Sequence, residues 1–281
     1  MVALVTGGGR GIGQGIALRL AKEGWAVAIA ARSADQLQAT IRQNEGHDGR
    51  IFAVPADVTS SNSVREMVRQ VEETFGQVTL LVNNAGTLGP IGPFWHNDAD
   101  HWWQCQEVNL RGPMLCCREI LPGMVARKSG RIINVASGGG CQAIPEMSAY
   151  VTSKTALIRF SEQLAVELQP YGVSVFSIHP GGVHTAMVEE ARKKLPFIQD
   201  LLDAGKVVTP DLAADLVVFL ASGKADALSG RFFSVDEDAN DIAQRASDVC
   251  ENNLYLLSMR KLHESFAAWE TALANRRPHS P

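Results

Sequence analysis

Six short runs of apolar, largely β-branched and small residues, at positions 2–5, 26–31, 51–54, 80–82, 131–135 and 173–178, constrain this chain more than any other feature. Longer segments with helical spacing, such as 12–22 and 64–75, lie between them. A strand that is apolar throughout has no solvent-facing side, so the sheet it joins must be covered on both faces. Strands of this kind alternating with helices specify parallel pairing through crossovers, and hence an α/β, doubly wound parallel sheet. Right-handed crossovers, with a switch in strand order beside the first strand, place ligands at the carboxyl ends of the strands.

The turns at those ends carry the chemistry. Thr6-Gly7-Gly8-Gly9-Arg10-Gly11-Ile12-Gly13 follows the first strand and opens the first helix. Its glycines allow close approach of a ligand to the backbone, and the helix N-terminus faces a pyrophosphate. A glycine cluster alone is equally an ordinary tight turn; the flanking strand and helix make this one a dinucleotide cradle of the Rossmann type. In such folds a carboxylate ending the second strand bonds the ribose 2′-hydroxyl, whereas a basic residue accepts a 2′-phosphate. Here the strand ends Ala30-Ala31-Arg32-Ser33. There is no acid, and Arg32, helped by Arg10, can neutralise a phosphate with bidentate geometry, which favours NADP(H) over NAD(H).

Tyr150 and Lys154 stand four residues apart in Tyr150-Val151-Thr152-Ser153-Lys154, on one face of a helix where both can reach the same ligand. That spacing is common by chance, and it gains meaning from its company. Ser137 lies just past the fifth strand, Asn109 lies within the preceding helix, and Asn83-Asn84-Ala85-Gly86 closes the fourth strand.

Over residues 1–235 this joint pattern resembles the short-chain dehydrogenase/reductase family, with Asp57-Val58 and Pro180-Gly181-Gly182-Val183-His184-Thr185 also in the family's order and spacing. The resemblance implies that Tyr150 is the general acid in reduction and the base in oxidation. It further implies that Lys154 holds the nicotinamide ribose, Ser137 bonds the substrate oxygen, and the backbone of Asn109 holds a water that resupplies protons. An ordinary phenol, with a pKa of about 10, is a poor acid–base catalyst at neutral pH. A nearby Lys154 cation and an oxidised nicotinamide would both lower it. The cofactor contacts implied are Gly7, Gly9, Arg10, Gly11, Ile12, Arg32, Ser33, Asp57, Val58, Asn84, Ala85, Gly86, Tyr150, Lys154, Pro180, Gly181, Val183 and Thr185, where Thr185 is otherwise a helix cap. The implied reaction is hydride transfer between nicotinamide and a carbonyl compound or secondary alcohol. Two rivals share the fold: a dehydratase or epimerase without net redox turnover, and a nucleotide-sensing protein without catalysis.

On the substrate side, Leu88, Trp95, Ile144, Pro145, Met147, Met187 and Phe197 predict an apolar pocket suited to a hydrophobic ketone or aldehyde. His179 and His184 match no catalytic position and read as structural; Trp102 and Trp103 read as packing or subunit contacts. The net charge of −4 and scattered basic residues give no reason to bind nucleic acid or an anionic membrane. No run of apolar residues is long enough to span a bilayer. Five cysteines, Cys105, Cys116, Cys117, Cys141 and Cys250, lack metal-site spacing and read as reduced thiols of a cytoplasmic protein. The family's usual ending, a strand followed by Gly-Gly, is replaced by Gly230-Arg231-Phe232-Phe233-Ser234-Val235-Asp236-Glu237. Residues 1–235 are therefore expected to form the catalytic domain and 236–281 a helical extension, with helices at 254–262 and 266–273. The resemblance implies a homo-oligomer, a dimer or tetramer, although this ending leaves the usual tetramer contact in doubt.

Overall fold

A computed structural model describes residues 1–44, 49–195, 198–200 and 207–258. The six apolar runs form strands with bounds within one residue of those read from the sequence: β1 (Val2–Thr6), β2 (Ala26–Ala31), β3 (Arg50–Pro55), β4 (Leu80–Asn83), β5 (Gly130–Val135) and β6 (Val173–His179). A seventh strand, Phe232–Ser234, was not among them; at three residues it is too short to show a period, and pairing of Phe232 with Ser177 of β6 defines it. The strands are all parallel, in the order β3-β2-β1-β4-β5-β6 followed by Phe232–Ser234, so the order reverses beside β1 as predicted. Main helices are α1 (Gly11–Lys22), α2 (Ala34–Gln43), α3 (Ser61–Phe75), α4 (Ala99–Gln106), α5 (Gly112–Ala126), α6 (Ser148–Leu168) and α7 (Ala186–Arg192). A π-helical turn, Glu107–Arg111, joins α4 to α5.

Alternate residues of each central strand enter opposite cores. Ala3, Val5, Val27 and Ile29 pack with Ile16 and Leu20 of α1 and with Val217 and Leu220 of the helix Pro210–Ala221. Val2, Leu4 and Ala28 pack on the other face with Val64, Met67 and Val71 of α3 and Ile120 and Met124 of α5. The 64, 67, 68, 71 spacing gives α3 its apolar stripe, Ser60 caps it by accepting from Ser63 N, and Gly76 ends it with φ +86°. Leu4 has no exposed surface, so its truncation to alanine would cost about 2–5 kcal/mol.

A chain of buried polar groups fixes the strand register behind the site. Asn83 Nδ2 of β4 donates to Asn134 Oδ1 of β5 (2.8 Å), and Asn134 Nδ2 donates to Ser161 Oγ of α6 (2.8 Å). A one-residue slip would break both bonds and strand desolvated amides, so these contacts hold β4, β5 and α6 at defined relative heights.

Beyond Val235 the described helices are not those expected from the sequence. Helices Ala239–Gln244 and Ala246–Glu251 place Ile242 and Val249 in the core on the α1 face. Residues 254–258, the start of the helix expected at 254–262, are turn and irregular chain, because Asn253 and Tyr255 have φ of +49° and +60°. The chain runs instead along the sheet edge, where Phe232 N donates to Tyr255 O (3.0 Å). The rest of 254–262 and all of 266–273 lie outside the described residues. Among the described residues no helix is long and apolar enough to cross a membrane.

Candidate active site

A cleft of about 730 Å³ opens across the carboxyl ends of the strands, where β1 and β4 diverge. Its floor is the turn from β1 into α1. Gly7 has φ +67°, and a Cβ on Gly13 would lie 2.3 Å from Gly7 O and 2.4 Å from Asn84 Nδ2, so the helix can approach the turn this closely only with glycine there. Asn84 Nδ2 donates to Thr6 O (2.9 Å), and the main-chain N–H groups of Asn84 and Ala85 both donate to Thr6 Oγ1 (3.0 and 3.1 Å). The glycine turn and the fourth-strand turn are thereby one unit. Gly7, Gly9, Gly11 and Ile12 line the cleft on one side, and Asn84, Ala85 and Gly86 line it on the other.

At the end of β2, Arg10 and Arg32 are exposed and face the same cleft, with Ser33 and Gln36 beside them. Ser33 also caps α2, its hydroxyl accepting from Gln36 N (3.4 Å). Asp57 and Val58 line the wall after β3; the Asp57 carboxylate is held by the N–H (2.9 Å) and hydroxyl (2.8 Å) of Thr59. No carboxylate stands at the end of β2.

Tyr150, Lys154, Ser137 and Asn109, from three separate segments, come together at the other end. Tyr150 and Lys154 line the cleft, with the Lys154 Nζ 5.8 Å from the centre of the Tyr150 ring. Lys154 is 4% exposed and donates to Val135 O (2.8 Å), which ties the side chain to the end of β5. Ser137, just past β5, accepts from Gly139 N (3.1 Å), and a Cβ on Gly139 would lie 3.4 Å from Ser137 Oγ and 3.7 Å from the Tyr150 ring, so the two groups are neighbours. Asn109 is fully buried in the π-helical turn, and both ends of its amide grip Thr87: Thr87 N donates to Oδ1 and Nδ2 donates to Thr87 O, each at 2.8 Å. A Cβ on Gly86 would lie 3.3 Å from Asn109 Oδ1 and 3.6 Å from Lys154 Nζ, so these two side chains flank the cleft wall at one point.

The electrostatics of this corner differ from the sequence expectation. Burial pushes the Tyr150 phenol up, and the neighbouring Ser137 hydroxyl only partly opposes it. Burial pushes Lys154 down to about 8, because its ammonium has lost water and faces a carbonyl rather than an anion. At about 8 Lys154 still carries its proton at neutral pH, but the burial that lowers it also holds the phenol above its ordinary range, so an anion arriving beside the lysine or a cation beside the phenol would favour ionisation of each.

The loop after β6 divides. Pro180 and Thr185 line the cleft, and Thr185 also caps α7 by accepting from Val188 N (3.3 Å). Gly181 and Val183 do not face the cleft: a Cβ on Gly181 would meet Val208 and Val235, and Val183 is buried in a two-stranded sheet between Gly182–Val183 and Val207–Val208. Of the apolar pocket residues, Met187 lines the cleft, while Leu88 and Met147 are buried in a small cluster that Ile144 and Tyr150 also join. Trp95 is 79% exposed and lies away from the lining. Phe197 lies outside the described residues. Trp102 packs as read, donating Nε1 to Ser148 Oγ (3.0 Å), whereas Trp103 is 60% exposed. His184, read as structural, lines the cleft, with Nε2 2.6 Å from Glu189 Oε1. Its position just before the α7 cap brings it there. Thr185 Cγ2 lies only 3.3 Å from where a Gly11 Cβ would be, so this loop closes over the glycine turn.

A short chain dehydrogenase family profile matches residues 1–196. The chain belongs to the short-chain dehydrogenase/reductase family. It is thus an oxidoreductase of a family that uses a nicotinamide cofactor on CH–OH groups. Among its relatives, the short chain dehydrogenase andI of Emericella variicolor is 32% identical over 266 residues, covering 92% of this chain and 89% of the relative. Of solved structures, an actinorhodin polyketide ketoreductase variant with NADPH superposes with a TM-score of 0.79 at 32% identity, over 83% of this chain and 95% of that one. NAD⁺-bound xylitol dehydrogenase does so with 0.77 at 29%, over 83% and 96%.

In this short-chain dehydrogenase one wall of the cleft escaped the motif reading. His101, Gln104, Cys105 and Val108 face the cleft from α4 and the π-helical turn. Their spacing of three, four and seven is a single helical face, a signal present in the sequence but submerged among polar and apolar types that share no chemistry.

Proposed function

We propose that this chain is an NADP(H)-dependent carbonyl reductase of hydrophobic ketones or aldehydes, with Tyr150 as its proton donor and, in the reverse direction, its base. The observation that carries the reading is the approach of Tyr150, Ser137 and Lys154 at one end of a cleft whose other end presents Arg10 and Arg32 where β2 ends without a carboxylate.

The residues present suit a dinucleotide. Gly7 and Gly13 leave the backbone of the first turn bare, and α1 directs its N-terminal N–H groups and positive end at the same space, as a pyrophosphate requires. Arg10 and Arg32 would hold a 2′-phosphate, assisted by Ser33, and Asp57 and Val58 would hold the adenosine. Asn84, Ala85 and Gly86 would form the wall beneath the nicotinamide riboside, and Lys154 would bind its ribose hydroxyls. Pro180 and Thr185 would fix the carboxamide, joined by the backbone of Gly181 and Val183, whose side positions face away. When bound, the cofactor supplies or accepts the hydride.

The chain's own groups do the rest. Ser137 would donate to the substrate oxygen and stabilise the negative charge that develops there. Tyr150 would transfer its proton to that oxygen. Lys154 would hold its charge more firmly as the phenolate forms, since a neighbouring anion opposes the effect of burial. Asn109 would keep the proton route behind Lys154 in place. Residues 1–235 would form the catalytic domain and 236–281 an extension of it, in a cytoplasmic homo-oligomer.

The test is consumption of NADPH and of NADH, followed by absorbance, against a graded panel of ketones and aldehydes. The reading predicts turnover of hydrophobic carbonyls with NADPH preferred. Binding of NADPH without consumption across the panel would favour a non-redox reaction or a sensor.

A further inference from the structure

We propose that Ser153 is a positioning residue, whose hydroxyl couples the helical turn bearing Tyr150 to Asn109 and through it to the cleft wall. The inference rests on the reading of Tyr150 as the acid–base group.

Ser153 is fully buried and its oxygen works in two directions. It donates to Tyr150 O (2.7 Å) and accepts from Asn109 Nδ2 (2.9 Å). A serine donating to the carbonyl three residues back is ordinary within a helix. Acceptance from a buried amide on another element is not. It makes Ser153 the junction of two hydrogen-bonded chains, one ending on the Tyr150 main chain and the other on Thr87, the residue after the cleft-wall Gly86.

Ser153 is also the deepest of three bonds by which one face of α4 and its π-helical continuation grips the start of α6. Trp102 Nε1 donates to Ser148 Oγ (3.0 Å), Gln106 Nε2 donates to Ala149 O (2.9 Å), and Asn109 Nδ2 donates to Ser153 Oγ. Positions 102, 106 and 109 lie on one side of the helix, and their partners at 148, 149 and 153 span the turn that carries Tyr150. The first two bonds involve a half-buried tryptophan and a main-chain carbonyl. The third alone reaches the main chain of the tyrosine itself, by way of the serine hydroxyl. Cys105 adds a weak arm: its Sγ accepts from Asn109 Nδ2 (3.4 Å) and lies 3.9 Å from Ser153 Oγ. Burial pushes its thiol up, which disfavours a thiolate beside Tyr150.

Position matters here because Tyr150 depends on alignment with Ser137 on a different segment. A misplacement on the order of 1 Å costs up to about a hundredfold in rate without requiring any change in cofactor affinity. Without Ser153, the Tyr150 turn keeps its helical bonds but loses its tie to Asn109. The phenol then drifts from Ser137, the one contact that holds its pKa down.

The test compares full-length Ser153→Ala, Ser153→Thr and Tyr150→Phe with the parent, with active sites counted by NADPH binding so that any unfolded fraction drops out. Ser153→Ala is expected to lower kcat at least about tenfold. NADPH affinity should stay within about twofold, and the pH profile for alcohol oxidation should move to higher pH. Ser153→Thr, which keeps the hydroxyl, should restore most of the rate and the parental profile. If Ser153→Ala keeps the parental kcat per binding site and the parental profile, whatever its thermal stability, the positioning role is wrong. A threonine variant no better than alanine overturns it as well. If Tyr150→Phe keeps its rate, it is the underlying assignment of Tyr150 that fails; an inactive Tyr150→Phe beside a normal Ser153→Ala sinks this inference alone.

Discussion

The two ends of the cleft are made of different material. At the end proposed for the phosphates the floor is main chain, the Gly7 to Gly13 turn, the N-terminus of α1 and the Asn84 turn clamped to Thr6, with Arg10 and Arg32 at its rim. At the end proposed for the substrate it is side chain, from Met187 and His184 at the start of α7 to the α4 face at His101 and Gln104. A ligand site built from backbone tolerates few sequences, because each glycine answers a steric demand that no other residue meets. A site built from side chains on exposed segments tolerates many, and that is where members of one family can diverge in substrate while keeping a cofactor.

The comparison can be broken at either end, and the phosphate end should break harder. Gly13→Ala puts a methyl 2.3 Å from Gly7 O, with backbone on one side and the Asn84 amide on the other. We expect a loss of about 3 kcal/mol in stability and of NADPH binding together, seen by thermal unfolding and fluorescence titration. A variant that binds NADPH normally would show that the turn is not tight.

Arg32→Asp should leave folding intact, since Arg32 is exposed, and shift the NADPH-to-NADH preference in kcat/KM by about ten- to a hundredfold toward NADH. An unchanged ratio would transfer the selectivity to Arg10 or elsewhere.

Lys154→Met sharpens the comparison through pH. The folded pKa of Lys154 is depressed to about 8 from an ordinary lysine value, so at neutral pH the folded chain pays to keep that ammonium buried. Between about 8 and the unfolded value the unfolded chain binds the extra proton, so this group's contribution to stability rises with pH and is lost as pH falls toward 8. Without cofactor, Lys154→Met is expected to gain on the order of 2 kcal/mol relative to the parent at pH 7, with the gap closing by about pH 10. Parallel denaturation curves at both pH values check it; a gap independent of pH would mean that Lys154 keeps its charge.

At the substrate end the effect should be smallest. Met187→Ala should raise KM for bulky apolar substrates about three- to tenfold and leave small ones alone, in keeping with the loss of one partly buried apolar contact. Equal effects on all substrates would place Met187 against the cofactor instead.

This contrast also explains what was legible in the sequence. The strands could be read because burial on both faces demands continuous apolar runs, and the glycine turn because steric exclusion is local. Phe232–Ser234 could not: three residues carry no period, and only the neighbouring β6 makes them a strand. The helix expected from residue 254 failed because Asn253 and Tyr255 turn left-handed and the chain then bonds to the sheet edge, a tertiary effect that helical spacing does not encode. Trp95 could be placed near the site by sequence position but not by direction, and it faces solvent. His184 was judged by its failure to match a motif, although adjacency to the Thr185 cap brings it to the cleft whatever its type. The lowered Lys154 is likewise a consequence of burial, which spacing alone does not reveal.

The central claim is that the Tyr150 hydroxyl, and no other group, delivers the proton in this cleft. Steady-state turnover of Tyr150→Phe, measured beside its NADPH dissociation constant, addresses it most directly. The account predicts a fall in kcat of at least about a hundredfold with NADPH affinity nearly unchanged, since the ring remains and only the proton donor is gone. A variant that binds NADPH normally and still reduces carbonyl compounds at close to the parental rate would contradict it.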